Sequence, residues 1–570
     1  MRRLETLSIA AAAVAGVCDI FAGSLSGVGA TGAGIGSLCL TALVAGLVAL
    51  HLFKKQRRVH MAPLYAAVAV RVVAGWFGAV VSGIVPWHVA TNAAVWLVAL
   101  GSTACVLSAL ALGMGMLFPL SRFPVAPGPH SVGTASMEVV DYTRPSSSYP
   151  RAGRTPREVL VRMWYPADPG AADVKNRLVY GTVRANFIRR LAELTNLPPA
   201  VLSHLRKLRT RSMVNAPVAA TAADGSLPVV LFSHGMYGYT WQNTVLCEAL
   251  ASYGMLVVAP SHEGDSLLSR PFLAKVPKGV EADTTREAER DFWRPAFDNR
   301  AADLSFVLGA MASLAAGESG ALGRPTATPT PLLRSIARSA DLTHVAAVGH
   351  SFGGGTVTRF STIDPRCVTV VALDGWLWPM NAQQLGFPKS PTAGDSAEST
   401  DVGETAVPAA AGEQAEDGGG SAPRLPPILQ LSATDWEWTA GQVPNRSRLV
   451  QHRPGSRHMS LLNSNHHNFN DTPMLFAHRL LRKTGAIGAA DPMLLVEAIT
   501  ALTASWVNAT LARAVDPGSV VVAVAGAPSN RLLGEQRTHP LAFDAALSKY
   551  KAVLRPAEGD VEYERTAKDV

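Results

Sequence analysis

The sequence is poor in charge. Only 16% of its 570 residues are Asp, Glu, Lys or Arg, against about 25% in a typical soluble domain. With 48% hydrophobic residues, that deficit excludes a chain that is disordered or purely cytosolic in character. Cysteine is scarce as well. Five cysteines are too few for a disulfide scaffold, and none forms the CxxC pair of a zinc or redox site. The net charge is +8, but no recognised nucleic-acid motif accompanies it, so nucleic acid is not an expected partner. The length allows two to four ordinary domains.

The charge deficit has a location. Of 51 basic and 43 acidic residues, nine fall in the first 120: Arg2, Arg3, Glu5, Asp19, Lys54, Lys55, Arg57, Arg58 and Arg71. Four apolar runs occupy that stretch, near 7–25, 35–53, 64–85 and 93–118. Each reaches roughly the 18 residues that a helix needs to cross a bilayer. The first run is the weakest, and Arg2 and Arg3 would also suit a signal peptide. The loop 54–60 carries four basic residues and no acid, whereas the other two short loops carry none. The positive-inside rule then places that loop, and the chain after residue 118, in the cytoplasm. The expectation is a multi-pass membrane region over 1–120, a linker over 121–137, and a catalytic domain facing the cytoplasm.

From residue 138 the texture changes. Val159–Tyr165, Pro228–Ser233, Met255–Ala259, Val345–Val348, Thr369–Leu373 and Pro427–Leu431 read as short strands. Trp241–Tyr253, Ala301–Ala315 and Pro492–Ala514 read as helices between and after them. Short apolar strands alternating with helices imply an α/β domain, here 138–515, with a mostly parallel sheet covered on both faces. Three stretches fall outside that rhythm. Gly386–Arg424 has seven acids, two bases and almost no aromatics, which reads as a disordered surface insertion. Gly317–Pro331 is a smaller insertion of that kind, and 516–570 reads as a loosely held tail.

The chemistry centres on Gly349-His-Ser351-Phe-Gly353, placed between a strand and a helix start. A serine on so tight a turn presents an exposed hydroxyl, and glycines two positions away let strand and helix approach closely. Elsewhere the five-residue pattern is a glycine-rich turn, but this context favours a nucleophile. Serine needs a base and an orienting acid. The acids that follow strands are Asp374 and Asp435, and the histidines downstream are His452, His458, His466, His467 and His478. The order Ser…Asp…His suits this class of fold, and the pattern leaves the choice within each set open. An oxyanion hole needs two backbone N–H groups. Phe352 after the nucleophile and Met236 after Ser233-His-Gly235 are the candidates, and no metal or cofactor is required.

Together these segments resemble a known family. Phe232-Ser-His-Gly, Val348-Gly-His-Ser-Phe-Gly-Gly, Ala372-Leu-Asp-Gly-Trp and His466-x-Asn-Phe look like the platelet-activating factor acetylhydrolases of the plasma and intracellular type II kind. Those are α/β-hydrolases acting as calcium-independent phospholipases A2. The resemblance implies Ser351 as nucleophile, Asp374 rather than Asp435 as acid, and His466 rather than His467 as base. It also puts Met236 and Phe352 in the oxyanion hole. It does not extend to the four apolar runs or the acidic insertion. Ser261-His-Glu-Gly-Asp departs from the family's His-Arg-Asp pattern and Trp376-Leu-Trp378 from its pocket, so acyl-length preference does not carry over.

Two further expectations concern lipid. Lys175–Arg211 holds nine basic residues and one acid, with Phe187, Ile188, Leu191, Leu194, Leu202 and Leu205 interleaved. That composition suits an interfacial helix pair facing anionic lipid, or equally a solvated helical face. The favoured reading is a membrane-anchored serine esterase that cleaves the sn-2 ester of phospholipids with short or oxidised acyl chains. A broader carboxylesterase, or a membrane scaffold with an inactive hydrolase domain, are its rivals.

Overall fold

The structure, a computed structural model, describes residues 62–70, 72–73, 90–117, 123–146, 156–168, 176–180, 186–222, 225–267, 286–318, 320–323, 329–387, 425–434, 443–515 and 542–556. They fall into two compact units. One comprises 1–124, 177–211 and 471–486, and the other 125–176, 212–470 and 487–570.

The strands are β1 (Ser131–Pro145), β2 (Pro156–Ala167), β3 (Arg177–Val179), β4 (Arg209–Val214), β5 (Leu227–Ser233) and β6 (Leu256–Ser261). They continue with β7 (Ala340–His350), β8 (Cys367–Leu373), β9 (Ile428–Ala433), β10 (Arg457–Leu461) and β11 (Leu554–Pro556). In the larger unit the hydrogen-bonded order is β11-β10-β9-β8-β7-β5-β6-β2-β1-β4. From β10 across to β6 every pair is parallel, as the apolar strands imply. The antiparallel pairs are β10–β11, β6–β2 and β2–β1. β1 escaped the sequence reading because Gly133, Thr134, Ser136 and Glu138 interrupt any apolar run. The stretch read as a loose tail supplies β11, which pairs with β10.

Val229, Leu231, Val345, Ala347, Val370 and Ala372 pack on one side of the sheet with Leu304, Val307 and Leu308. The last three belong to a helix over Arg286–Ala315. Each such Leu or Val, wholly buried, contributes roughly 1.5–3 kcal/mol. Alternate positions on the parallel strands point to the other side and are equally buried. The strands are therefore apolar throughout, as a sheet covered on both faces demands.

The four-helix membrane bundle is not what the described residues show. Runs 7–25 and 35–53, with Asp19 and Arg71, lie outside them, and run 64–85 is described as helix only over 62–70 and 72–73. The fourth run is helix α1 (Ala90–Leu117), 28 residues without a charge. Among the described residues a single helix, Pro492–Ala514, meets the length and hydropathy of a membrane span. It is a core helix, α2 (Pro492–Val515), with Leu495, Ala498, Leu502 and Val507 fully buried. Its Trp506 Nε1 donates to Thr369 Oγ1 of β8 at 2.9 Å.

The smaller unit also revises an expectation. Lys175–Arg211 holds one α-helix, Phe187–Thr195, and a 3-10 turn, Val201–Lys207. Phe187, Ile188, Leu202 and Leu205 are buried, and the Phe123 and Tyr180 rings meet at a tilt with centroids 5.4 Å apart. The expected apolar face of a helix pair is thus consumed internally. Arg189, Arg206, Lys207 and Arg209 remain exposed.

Candidate active site

Parallel strands bring their carboxyl ends to one edge of a sheet, where α/β folds place ligands. β5 ends at Ser233 and runs into His234-Gly235-Met236, β7 into Ser351, and β8 into Asp374. His466 follows β10 by five residues and opens a 3-10 turn, His466–Phe469, held by a reciprocal cap between Asn465 and Asn468.

The turn at Ser351 is strained. Its φ is 58° and ψ −123°, a backbone position that costs of order 1–3 kcal/mol. The flanking glycines are obligatory. A Cβ on Gly349 would lie 2.1 Å from Gly353 O, and one on Gly353 would lie 2.0 Å from Ser233 O. The Ser351 carbonyl accepts from the Gly354 and Trp376 N–H groups, both at 2.8 Å. These bonds hold the elbow against the loop that carries Asp374.

Asp374 Oδ2 stands 2.6 Å from His466 Nδ1. Asp374 Oδ1 accepts from Ala433 N–H at 3.0 Å and from Arg446 Nη2 at 3.3 Å. Asp374 itself has φ 47° and is fully buried. Burial alone would raise its pKa. The bond and charge of His466, the Arg446 guanidinium and the Ala433 N–H outweigh it and hold the carboxyl below its usual value. The ring of His350, the residue before Ser351, lies 4.7 Å from the His466 ring. Burial and its two histidine neighbours keep His350 neutral, well below the ordinary histidine pKa. An acid, an imidazole and a strained serine thus share one strand edge.

The other candidates go elsewhere. His467 Nδ1 faces Asn470 Nδ2 at 3.2 Å. His458 lies on β10 against Ser432 Oγ at 2.9 Å. His452 is exposed, with Nδ1 on Arg448 O, and His478 meets Pro473 O. Asp435 lies outside the described residues. Of the acidic stretch only Gly386 and Phe387 are described. Gly386 caps a short helix in the left-handed region, and Phe387 is buried.

Met236 is half-buried, and a Cβ on its neighbour Gly235 would stand 3.3 Å from Ser351 Cβ. The Met236 and Phe352 N–H groups donate to no acceptor among the described residues. Two donors without an acceptor beside a strained serine are the arrangement that an oxyanion hole requires. Phe352 stacks on Phe297 at 4.1 Å within an apolar cluster that includes Trp293, Leu377 and Met380, with Met236 and Trp376 packed against it. Two buried arginines, Arg446 and Arg300, join the site without any sequence signal.

Comparison with known proteins agrees with the motifs. Residues 116–393, just under half of the chain, match the family described as platelet-activating factor acetylhydrolase, isoform II. That match includes Met236, Ser351, Phe352 and Asp374 and stops short of His466. The chain is 24% identical over 277 residues to platelet-activating factor acetylhydrolase of Cavia porcellus, covering 46% of this chain and 57% of that protein. It is 24% identical over 284 residues to the protein of the same name from Gallus gallus, covering 45% and 61%. The chain thus spans about three fifths of the length of these relatives. A solved ferulic acid esterase from Streptomyces cinnamoneus aligns over 74% of this chain and 98% of its own, at 20% identity and a TM-score of 0.45.

Proposed function

We propose that the protein is a lipid-directed serine esterase, and that it hydrolyses the sn-2 ester of phospholipids with short or oxidised acyl chains. The observation that carries this reading is the 2.6 Å contact of Asp374 with His466 beside the strained Ser351 elbow. Ser351 Oγ attacks the ester carbonyl while His466 takes its proton. Asp374 holds the imidazole and offsets its positive charge. The tetrahedral oxyanion faces the Met236 and Phe352 N–H groups. Collapse expels the lysophospholipid, which receives the proton from His466, and leaves an acyl-serine. Water, deprotonated by His466, then releases the fatty acid and restores the serine.

Lipid contact is supported by two features. Helix α1 carries no charged residue over its length. Its Val106, Leu110, Leu112 and Met116 are exposed. The exposed arginines and Lys207 of the smaller unit provide charge for anionic headgroups.

The test is labelling by a fluorophosphonate probe together with hydrolysis. Wild type should label, and Ser351→Ala should not. Acetate release from an acetyl phospholipid should exceed release from a simple aryl ester at equal concentration. Failure of folded wild type to label overturns the serine mechanism. Activity on the aryl ester alone reassigns the protein as a broader carboxylesterase.

A further inference from the structure

Arg300 lies 1% exposed beneath the site, on the Arg286–Ala315 helix. Its Nε and Nη2 grip the Asp265 carboxylate at 2.7 and 2.9 Å. With its charge so paired, it directs the remaining N–H groups at two backbone carbonyls. Nη1 donates to His234 O at 2.7 Å and Nη2 to Gly235 O at 3.3 Å. Its Cζ also sits 4.6 Å over the Phe352 ring.

The Gly235 carbonyl is held from two further directions. Gly238 N–H donates to it at 3.0 Å. His234 Nδ1 stands 2.7 Å away. The backbone N–H of His262 donates to His234 Nε2 at 3.2 Å, so that nitrogen is bare and the proton sits on Nδ1, which donates to Gly235 O. Burial and the Arg300 charge keep this imidazole neutral. Three donors therefore pin one carbonyl.

In a trans peptide the C=O and the following N–H point in opposite directions. Pinning Gly235 O on the Arg300 side turns the Met236 N–H away from it. That N–H has no acceptor among the described residues, and Gly235 packs against Ser351. We propose that Arg300 is the positioning residue of the oxyanion hole: it sets the Gly235–Met236 peptide plane and, through the Phe352 ring, spaces the second donor. Arg300 touches no substrate, and its part in catalysis is to hold the two N–H groups at the place where charge develops. This rests on the proposed esterase reading.

The experiment compares wild type with Arg300→Met and Arg300→Lys on a soluble aryl ester. It also measures inhibition by a trifluoromethyl ketone, whose hydrated or serine-bound form carries the tetrahedral oxygen. Loss of one oxyanion donor costs about a hundredfold or more in kcat. Arg300→Met should approach that loss with KM changed less than about threefold, and ketone affinity should fall in parallel with kcat. Arg300→Lys keeps the charge and one donor, and should recover roughly tenfold of it. Near-ultraviolet circular dichroism checks that each variant is folded. If Arg300→Met does not fold, the lysine variant alone decides: kcat and ketone affinity should fall together by about tenfold while KM holds. Wild-type kcat in either folded variant, or equal loss of substrate and ketone binding, overturns the role of Arg300. An inert wild type that does not label at Ser351 overturns the esterase reading instead, and the inference with it.

Discussion

Arg446 and Asp374 form an ion pair with no exposure on either side. Arg446 Nη2 also donates to Gly375 O at 3.0 Å, so it fixes both the charge and the backbone of the acid. Its charge is one of the causes that hold the Asp374 carboxyl below its ordinary value. Arg446→Met removes that cause and frees the Gly375 carbonyl. Turnover of an aryl ester should then fall, and breaking a buried pair should cost about 3–5 kcal/mol of stability. Kinetics and urea unfolding of the folded variant check this, and wild-type kcat/KM would remove Arg446 from the electrostatics of the site. Neither Arg446 nor Arg300 was legible in the sequence. An isolated arginine carries no local pattern, and each reaches the site only by folding, from 72 residues beyond Asp374 and 35 beyond Asp265. Ser351 was legible because its constraint is local, a glycine pattern at a strand end. His466 and His467 are neighbours that no periodicity separates. A 3-10 turn capped by Asn465 and Asn468 aims one at Asp374 and the other at Asn470.

Glycine at the element scale separates catalytic geometry from mere helix content. Gly353 lies in the first turn of the helix Phe352–Ile363, against the end of β5. Gly309 sits exposed in Arg286–Ala315 with nothing within 4 Å of an added Cβ. Gly353→Ala should therefore force strand and helix apart at a cost of about 1–3 kcal/mol and abolish most activity. Gly309→Ala should stabilise by about 0.5–1 kcal/mol and leave activity unchanged. Urea unfolding of both variants tests the pair, and a Gly353→Ala protein as stable as wild type would mean that the elbow is not tightly packed. The same contrast explains which elements the sequence revealed. The six strands read from the sequence are present: β2 showed as an alternation, and the parallel strands, buried on both faces, are apolar along their length. β1, β3, β4, β10 and β11 were missed, since half-covered, polar or short strands need no such run. The long helix was read only from Ala301, because Pro295 and the charged residues around it break an apolar helical repeat.

Across the whole molecule, the scarcity of charge is matched by how its titratable groups are stored. His234 and His262 lie buried beside the Arg300 charge, and His350 lies buried beside His466 and His467. Burial is the main cause of the depression in all three, and it brings His262 to about 4. In an unfolded chain each would titrate near 6.5. As pH falls from about 6.5 towards 4 the unfolded state therefore takes up protons that the folded state refuses. Each histidine then withdraws up to about 1.4 kcal/mol of stability per pH unit. The carboxylates act lower. Asp374 is depressed below its ordinary value, so its stabilising share persists through that window and is lost only as pH falls further, through its folded pKa. Stability should thus decline in two stages on acidification, the first belonging to histidines. His262 is the cleanest probe. Its Nδ1 meets Asp303 Oδ2 at 3.0 Å and its Nε2 meets Ser233 Oγ at 2.9 Å, contacts that glutamine reproduces in part without a titrating ring. Urea unfolding free energies from pH 7 to 4.5 should fall steeply for wild type. For His262→Gln they should fall with a slope shallower by about one proton, whatever the absolute loss of stability. Equal slopes in the two proteins would mean that His262 is already protonated in the fold, and the account of its burial would be wrong.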